Sequence, residues 1–210
     1  MSNATPDPDL DARLASAWAA GDRHAGGQLI ARHYDAVTRF FATKAGEHRD
    51  DLVQQTFVRL AAACGTFRNT SSFRAFLFGV ARNVLFEFIR AQVKGRLSDP
   101  DFHTSAIVDV MPGLVTRHAQ QAQNRLLTEA LHRIPVDLQV VIELYYWEEM
   151  SLGELADVVG VPVGTVKSRL HRARQLLKDA LEHLDASSRE TDALRRQLET
   201  QFASNEPAEE

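Results

Sequence analysis

The chain has 210 residues, of which 44% are hydrophobic and 25% charged, and its formal net charge at pH 7 is −4. This composition supplies a core for one domain or two small ones, and it excludes a mostly disordered polyelectrolyte. A single cysteine, Cys64, excludes an internal disulfide and any multi-cysteine metal site, and it fits a reducing compartment. The apolar stretches are too short to span a membrane, and the acidic N-terminus lacks the apolar core of a signal peptide. We therefore expect a cytoplasmic protein without membrane insertion.

The charges are unevenly distributed along the chain. From Asp179 to the C-terminus there are nine acidic and three basic residues, whereas residues 1–178 have a net charge of +2. Residues 52–86 and 163–178 contain basic residues and no acidic residue. Two separate basic stretches are typical of a protein that contacts a polyanion at two places, although solvated helix faces have the same composition.

Apolar residues recur at helical spacing through the first half of the chain. Two repeats start at Leu10 and Ile30, and a third helix is predicted from Asp50-Asp51, whose charges suit a helix N-terminus. A polar break at 64–72 precedes a fourth helix, which is predicted from Phe73. Because no alternating strand pattern is found, the fold is predicted to be all-α, with helices packed on helices.

A segment rich in Gly, Pro and Asp, without sustained periodicity, separates this half from the next helical stretch. It predicts a flexible linker between two small helical domains. The residues after 184 predict one further helix near 192–202, followed by an acidic end. The predicted division of the chain is a first domain at 8–96, a linker at 97–124, a second domain at 125–184 and an acidic tail at 185–210.

Residues 151–178 predict two helices joined by a tight turn. Ser151 and Glu154 have the spacing of a capping box at the start of a helix Leu152–Val159. Gly160 permits the positive φ of a sharp turn, and Pro162 suits the start of the second helix. This arrangement is a helix-turn-helix, in which the second helix reads base edges in the major groove.

The second helix separates its residues into three faces. A buried stripe is predicted for Val166, Leu170, Ala173 and Leu177. One exposed flank is predicted to read bases, because an arginine fork matches two acceptors of guanine, and it contains Thr165, Ser168, Arg169 and Arg172. The other flank is predicted to hold phosphates and contains Lys167, His171, Arg174 and Lys178.

The run GTVKSRLHRAR, within residues 131–181, resembles the promoter-upstream-element-binding domain of extracytoplasmic-function (ECF) sigma factors. DDLVQQTFVRL at 50–60 is similar to the helix of that family that binds core RNA polymerase, and FRAFLFGVARNVLFEFIR at 73–90 to the helix that melts the downstream promoter element. The resemblance covers roughly residues 8–184. It implies an alternative sigma factor that binds core RNA polymerase and promoter DNA, with an anti-sigma protein as inhibitory partner.

The resemblance also implies roles for single residues. The upstream-element residues are those of the two exposed flanks at 165–174. The downstream-element residues are Phe67, Arg68, Asn69, Thr70, Arg74, Arg82 and Asn83, among which Phe67 offers a ring for an unstacked base. The residues implied for core polymerase are Asp50, Asp51, Leu52, Gln54, Gln55 and Phe57. In the 50–60 helix, we expect Leu52, Gln54, Gln55 and Thr56 to remain partly exposed for this partner.

Other classes of function are less consistent with the sequence. No catalytic residues, cofactor or metal site are predicted, because the histidines are scattered and no phosphate-binding or nucleophile motif occurs. A stand-alone helix-turn-helix regulator, which binds DNA without polymerase, is the main alternative. A helical scaffold without a DNA role is the other, and the acid-free helix at 163–178 argues against it.

Overall fold

The computed structural model of the protein describes residues 7–67, 72–94, 120–184 and 189–204. All regular elements within these ranges are helical, which confirms the predicted fold class. The α-helices are α1 (Pro8–Ala19), α2 (Arg23–Ala42), α3 (Arg49–Ala63), α4 (Phe73–Lys94), α5 (Gln120–His132), α6 (Val136–Tyr146), α7 (Leu152–Val159), α8 (Val163–Glu182) and α9 (Arg189–Ser204). None of them is long and apolar enough to cross a membrane.

Helices α1 to α4 form an N-terminal unit, in which α1 packs closely on α2. A Cβ atom at Gly26 would lie 2.5 Å from ring atoms of Trp18, so this glycine lets the two helices approach. The buried carboxylate of Asp11 joins the same helices, since it accepts hydrogen bonds from Arg32 Nε at 2.9 Å and pairs with His33 Nε2 at 2.7 Å. Burial opposes ionisation of Asp11, but these two partners outweigh it and lower its pKa.

Helices α3 and α4 complete this unit, and their apolar stripes meet in its core. The prediction for α4 is confirmed at Phe73, Leu77 and Val84, which are buried. On α3, Val53, Phe57 and Leu60 are all buried as well. The acidic start predicted for α3 is also confirmed, because Asp50 and Asp51 lie in its first turn.

Helices α5 to α9 form a C-terminal unit. Helix α5 begins at Gln120, so the last part of the predicted linker at 97–124 is helical; residues 95–119 lie outside the described residues. Helix α6 is buried along most of its length and packs against α8. The predicted tail helix is present as α9 and contacts α5 and α8.

The two units pack against each other rather than standing apart. Their buried apolar side chains form one continuous core, with α4 lying against α7 and α2 contacting α6. This packing decides which of the predicted functional residues reach the surface.

Candidate nucleic-acid interface

The helix-turn-helix consists of α7, a turn at Gly160, and α8. Ser151 Oγ accepts from the Glu154 backbone N–H at 3.2 Å, and the Glu154 carboxylate accepts from the Ser151 N–H at 2.9 Å, which confirms the predicted capping box. Gly160 has φ +72°, in the left-handed region, as the turn requires. Pro162 is the N-cap of α8, so its missing N–H removes no hydrogen bond of the helix.

Helix α8 presents the faces that its sequence predicts. The stripe of Val166, Leu170, Ala173 and Leu177 is fully buried. Ser168, His171 and Arg172 are exposed, whereas the other predicted DNA-contacting residues are half-buried. Those half-buried residues are Thr165, Lys167, Arg169 and Arg174. Polar and cationic side chains therefore lie along the outer side of α8, three of them exposed and four half-buried.

The predicted downstream-element residues are only partly on the surface. Asn83 is exposed on α4. Arg82 is half-buried, with its guanidinium 4.6 Å from the centre of the Phe86 ring; burial, together with the charge of nearby Arg169, lowers its pKa. The charge of Arg169 thus acts on Arg82. A cation of α4 therefore lies near a cation of α8, the recognition helix of the helix-turn-helix.

Arg74 is the clearest departure from the sequence prediction. Its side chain is only 7% exposed and donates to the backbone carbonyl of Glu148 in the C-terminal unit. In this closed arrangement Arg74 therefore bridges the two units and does not face solvent, where a DNA strand would meet it. The reason is that α4 packs against α7. This contact joins distant segments of the chain, and no local sequence pattern predicts it.

Phe67 lies at the entrance to α4, half-buried against the rings of Phe73 and Phe76 at centroid distances of 5.9 and 5.3 Å. Part of the ring remains accessible, as a base-stacking position requires. Arg68, Asn69 and Thr70 lie outside the described residues.

The helix predicted to bind polymerase, α3, has a mixed surface. Asp50, Asp51, Gln54 and Gln55 are exposed, as expected. The expectation that Leu52 and Thr56 remain exposed is wrong: they are 2% and 0% exposed, and Thr56 Oγ1 donates to the Leu52 carbonyl. The buried residues of α3 include the neighbouring positions 52–53 and 56–57, so its buried face is wider than the stripe of Val53, Phe57 and Leu60. Phe57 also lies in this core, where its ring stacks on the half-exposed Tyr34 at 5.9 Å.

Within the described residues, polar side chains cross the boundary between the two units at several places, three of which contain a carboxylate of the C-terminal unit. At the first, Ser72 Oγ donates to the Glu154 carboxylate at 2.6 Å and accepts from the Ala75 N–H at 3.1 Å. Burial opposes ionisation of Glu154, but the hydrogen bonds from Ser72 and Ser151 outweigh it and lower the Glu154 pKa. The capping carboxylate of α7 thus also binds the N-terminus of α4.

The second place is the carboxylate of Glu148, which accepts from Arg39 Nε at 3.1 Å and from Arg39 Nη2 at 3.3 Å. Burial outweighs this pairing and raises the pKa of Glu148. The third place is a fully buried pair, in which Lys44 Nζ donates to the Glu143 carboxylate. Thr43 Oγ1 also donates to Glu143, at 3.1 Å, and Lys44 Nζ donates to the Phe40 carbonyl at 2.8 Å.

Sequence reasoning did not identify these bridging residues. No role was predicted for Glu143, Glu148 or Arg39, and they meet their partners about 100 residues away in the chain. The one signal in the sequence is that Glu143 stands within the apolar run at 140–146 of α6, where a buried charge needs a partner. Within the described residues, no group of three or more His, Cys, Asp or Glu side chains is able to hold a metal ion.

Two family models match the two units of the chain. Residues 29–95 match the model described as Sigma-70 region 2, and residues 124–177 match the model described as Sigma-70, region 4. The first match covers most of α2 and all of α3 and α4, and the second covers the helix-turn-helix as far as Leu177. The fold and the helix-turn-helix thus define a sigma-70-type transcription factor.

Curated relatives narrow the family. The ECF RNA polymerase sigma factor SigM of Mycobacterium tuberculosis is 30% identical over 177 residues, which cover 83% of this chain and 86% of that protein. The ECF RNA polymerase sigma-E factor of Haemophilus influenzae is 27% identical over 174 residues, covering 78% and 91%. The chain belongs to the ECF RNA polymerase sigma factors. It is therefore an alternative sigma factor, which directs RNA polymerase to promoters.

Solved structures share this architecture. CnrH, in complex with the cytosolic domain of CnrY, is 29% identical, with a TM-score of 0.63 over 85% of this chain and 99% of CnrH. The sigma factor RpoE of Bartonella quintana, in complex with the anti-sigma factor NepR, is 25% identical, with a TM-score of 0.58 over 75% and 97%. The order and packing of helical units described above are thus those of known sigma factors.

Proposed function

We propose that the chain divides promoter recognition between its units, with α8 binding the upstream element, α4 and the segment before it opening the downstream element, and α3 binding core RNA polymerase. The observation that carries this proposal is α8 itself. It is held by a capped first helix and a left-handed glycine, and it exposes cations without a single acid over residues 163–178. No covalent chemistry is proposed for the chain, whose place of action is the cytoplasm.

The two flanks of α8 have different tasks in this proposal. Arg169 and Arg172 read base edges, because a planar guanidinium fork pairs with two acceptors of one guanine. Lys167 and Arg174 hold phosphates, which contributes affinity for every sequence. Replacing Arg172 with Ala should therefore cost about 1–3 kcal/mol and relax the base preference at one position. Replacing Lys167 with Ala should weaken binding to all sequences and reduce its salt dependence.

Strand opening requires a surface that holds an unstacked base. The partly accessible ring of Phe67, supported by Phe73 and Phe76, offers a stacking face worth roughly 1–3 kcal/mol per base. Asn83, exposed on α4, and Asn69 offer amides for the edges of separated bases. Phe67→Ala is expected to leave polymerase binding intact and to reduce the reactivity of promoter thymines to permanganate.

Polymerase binding is proposed for the exposed side of α3. Its Asp50, Asp51, Gln54 and Gln55 are accessible, whereas Leu52 and Phe57 contribute through the core that shapes this surface. A Gln54→Ala, Gln55→Ala double variant should capture less core polymerase in a pull-down, with an unchanged circular dichroism spectrum. Undiminished capture would remove α3 from the polymerase interface.

The deciding experiment is run-off transcription with core RNA polymerase and a promoter library, with and without the protein. Promoter-dependent transcripts are expected only when the protein is present, and Arg172→Ala should lose them. Arg13→Ala is the matched control, because Arg13 is an exposed arginine on α1, away from α8. Specific binding of the protein alone to a palindromic site, with no effect on transcription, would favour the stand-alone regulator instead.

An anti-sigma protein is proposed as a second partner. The support is the RpoE structure, which was solved with its anti-sigma factor bound. Co-purification of a tagged chain from its own cells, followed by a transcription assay with the captured protein, tests this. A captured protein that leaves run-off transcription unchanged would not be the inhibitor.

A further inference from the structure

Helix α9 lies along the recognition helix and is held there by contacts of three kinds. It lies beyond residue 177, where the region 4 match ends. Its apolar stripe faces the C-terminal unit, where Leu194 and Leu198 are buried and the Phe202 ring packs against Tyr146 at a centroid distance of 4.9 Å. The stripe repeats every four residues, as expected of a helix that buries one face.

Two ion pairs set the direction of α9 relative to α8. Lys178 Nζ lies 3.6 Å from the Glu199 carboxylate, and Arg195 Nη2 lies 3.8 Å from the Glu182 carboxylate. From the first pair to the second, the residue number rises from 178 to 182 on α8 and falls from 199 to 195 on α9. The two helices therefore run antiparallel. This register brings the last turn of α9 toward the DNA-contacting part of α8.

The third contact falls on a cation of the proposed phosphate-holding flank. The Arg174 guanidinium lies beside two neighbouring aromatic rings, 5.6 Å from the centre of Tyr146 and 5.7 Å from that of Phe202. Cations at such distances are attracted by the ring faces. Arg174 and Lys178 are two of the four residues assigned to that flank, so α9 contacts half of it.

The charge of the tail does not explain this contact. Within Arg189–Ser204 there are three acidic and three basic residues, so α9 itself is neutral. It is held by its apolar stripe and by one placed carboxylate, Glu199, rather than by a diffuse negative charge. An exposed ion pair such as Lys178–Glu199 contributes little free energy by itself, so the apolar contacts contribute most to the packing of α9.

We propose that α9 competes with DNA for the recognition helix: it occupies Arg174 and Lys178 and must leave them before α8 engages the phosphates fully. This inference rests on the proposed role of α8 in DNA binding. Each phosphate contact that α9 withholds removes about 0.9 from the slope of log affinity against log salt concentration. Release of both cations is therefore expected to steepen the slope by about 1.8.

The first test measures binding of the full chain to a fluorescent random-sequence DNA duplex over a range of NaCl concentrations. Phe202→Ala should raise affinity at low salt and steepen the salt dependence. Glu199→Gln should raise affinity by up to about fivefold, the upper value for an exposed ion pair. Asp192→Asn is the matched control: it removes the same charge from an exposed position of α9 and should match the wild type. Circular dichroism verifies that each variant keeps its helix content.

The second test observes α9 directly. Hydrogen–deuterium exchange of peptides from 189–204 should become faster when the wild-type chain is saturated with the duplex, because α9 then loses its packing. Unchanged protection of α9 in the saturated complex would overturn the proposal, and so would equal affinities for Phe202→Ala and wild type. Lys167→Ala distinguishes failure of the competition from failure of the proposed DNA role of α8, because Lys167 is assigned to phosphates and its loss should weaken binding to any duplex. If it fails to weaken binding, the DNA role of α8 is wrong; if it weakens binding while α9 stays protected, only the competition is wrong.

Discussion

The buried pair of Lys44 and Glu143 offers a direct way to measure how strongly the two units hold each other. The Lys44 side chain is 1% exposed, and burial lowers its pKa in spite of the neighbouring Glu143. Glu143→Leu removes the only carboxylate that pairs with this ammonium group in the described part of the chain. Breaking one partner of a buried pair costs about 3–5 kcal/mol, because the remaining charge stays without compensation.

The loss of stability in Glu143→Leu has an upper limit, because the two units are able to separate and expose Lys44 to water. If docking of the units contributes less than about 3–5 kcal/mol, they separate and Lys44 becomes hydrated, so the measured loss equals the free energy of docking. Glu143→Leu is therefore expected either to lower the free energy of unfolding by the full amount or to expand the molecule. Lys44→Met combined with Glu143→Leu should restore both properties, because a well-packed apolar pair replaces a buried ion pair at little or no loss.

Urea unfolding followed by circular dichroism measures the first quantity, and small-angle X-ray scattering measures the radius of gyration. Asp157→Leu is the control, since it makes the same kind of change at an exposed carboxylate of α7. An unchanged unfolding free energy and radius in Glu143→Leu, equal to those of the control, would refute the role of this pair in docking.

Three further predictions concern the folds of the separate units. Gly26→Ala should destabilise the protein by about 1–3 kcal/mol, because the new Cβ would clash with the Trp18 ring. Gly27→Ala should stabilise it by roughly 0.5–1 kcal/mol, because no atom lies within 4 Å of a Cβ there. Thermal unfolding of both variants measures the difference. The lowered pKa of Asp11 stabilises the folded protein fully above the ordinary carboxyl pKa of 3.8, and this stabilisation is lost as pH falls through the lowered pKa. In Asp11→Asn, the free energy of unfolding should therefore depend less on pH in the acid range. Gly160→Ala should destabilise the helix-turn-helix by roughly 1–2 kcal/mol, since φ is +72° there, and an unchanged melting temperature would contradict this reading of the turn.

Local patterns predicted the parts of the fold that depend on neighbouring residues. The capping box at Ser151, the turn at Gly160 and the buried stripe of α8 each follow from spacings of a few residues, and the structure confirms them. The tail helix was also predicted, near 192–202, and it is present as α9. At these positions, local sequence and helix geometry are sufficient to predict the structure.

Contacts between distant segments were not predictable in the same way. Lys44 meets Glu143 across 99 residues of chain, and Arg74 meets Glu148 across 74. Arg74 was interpreted as a strand-contacting cation because an arginine at the start of a helix looks the same whether it faces solvent or another unit. Leu52 and Thr56 were misplaced for a related reason, since the width of a buried face depends on what packs against it.

The serine that links α4 to α7 has a consequence for how the units come apart. If they separate there, Ser72 still accepts from the Ala75 N–H and Glu154 still accepts from the Ser151 N–H, so both helix ends stay capped. Of the hydrogen bonds at these two caps, separation removes only the one between Ser72 and Glu154, about 0.5–1.5 kcal/mol, whereas the edge at Lys44 loses the partner of a buried charge. Separation of α4 from α7 is therefore opposed mainly by the packing between these two helices, because their caps survive it.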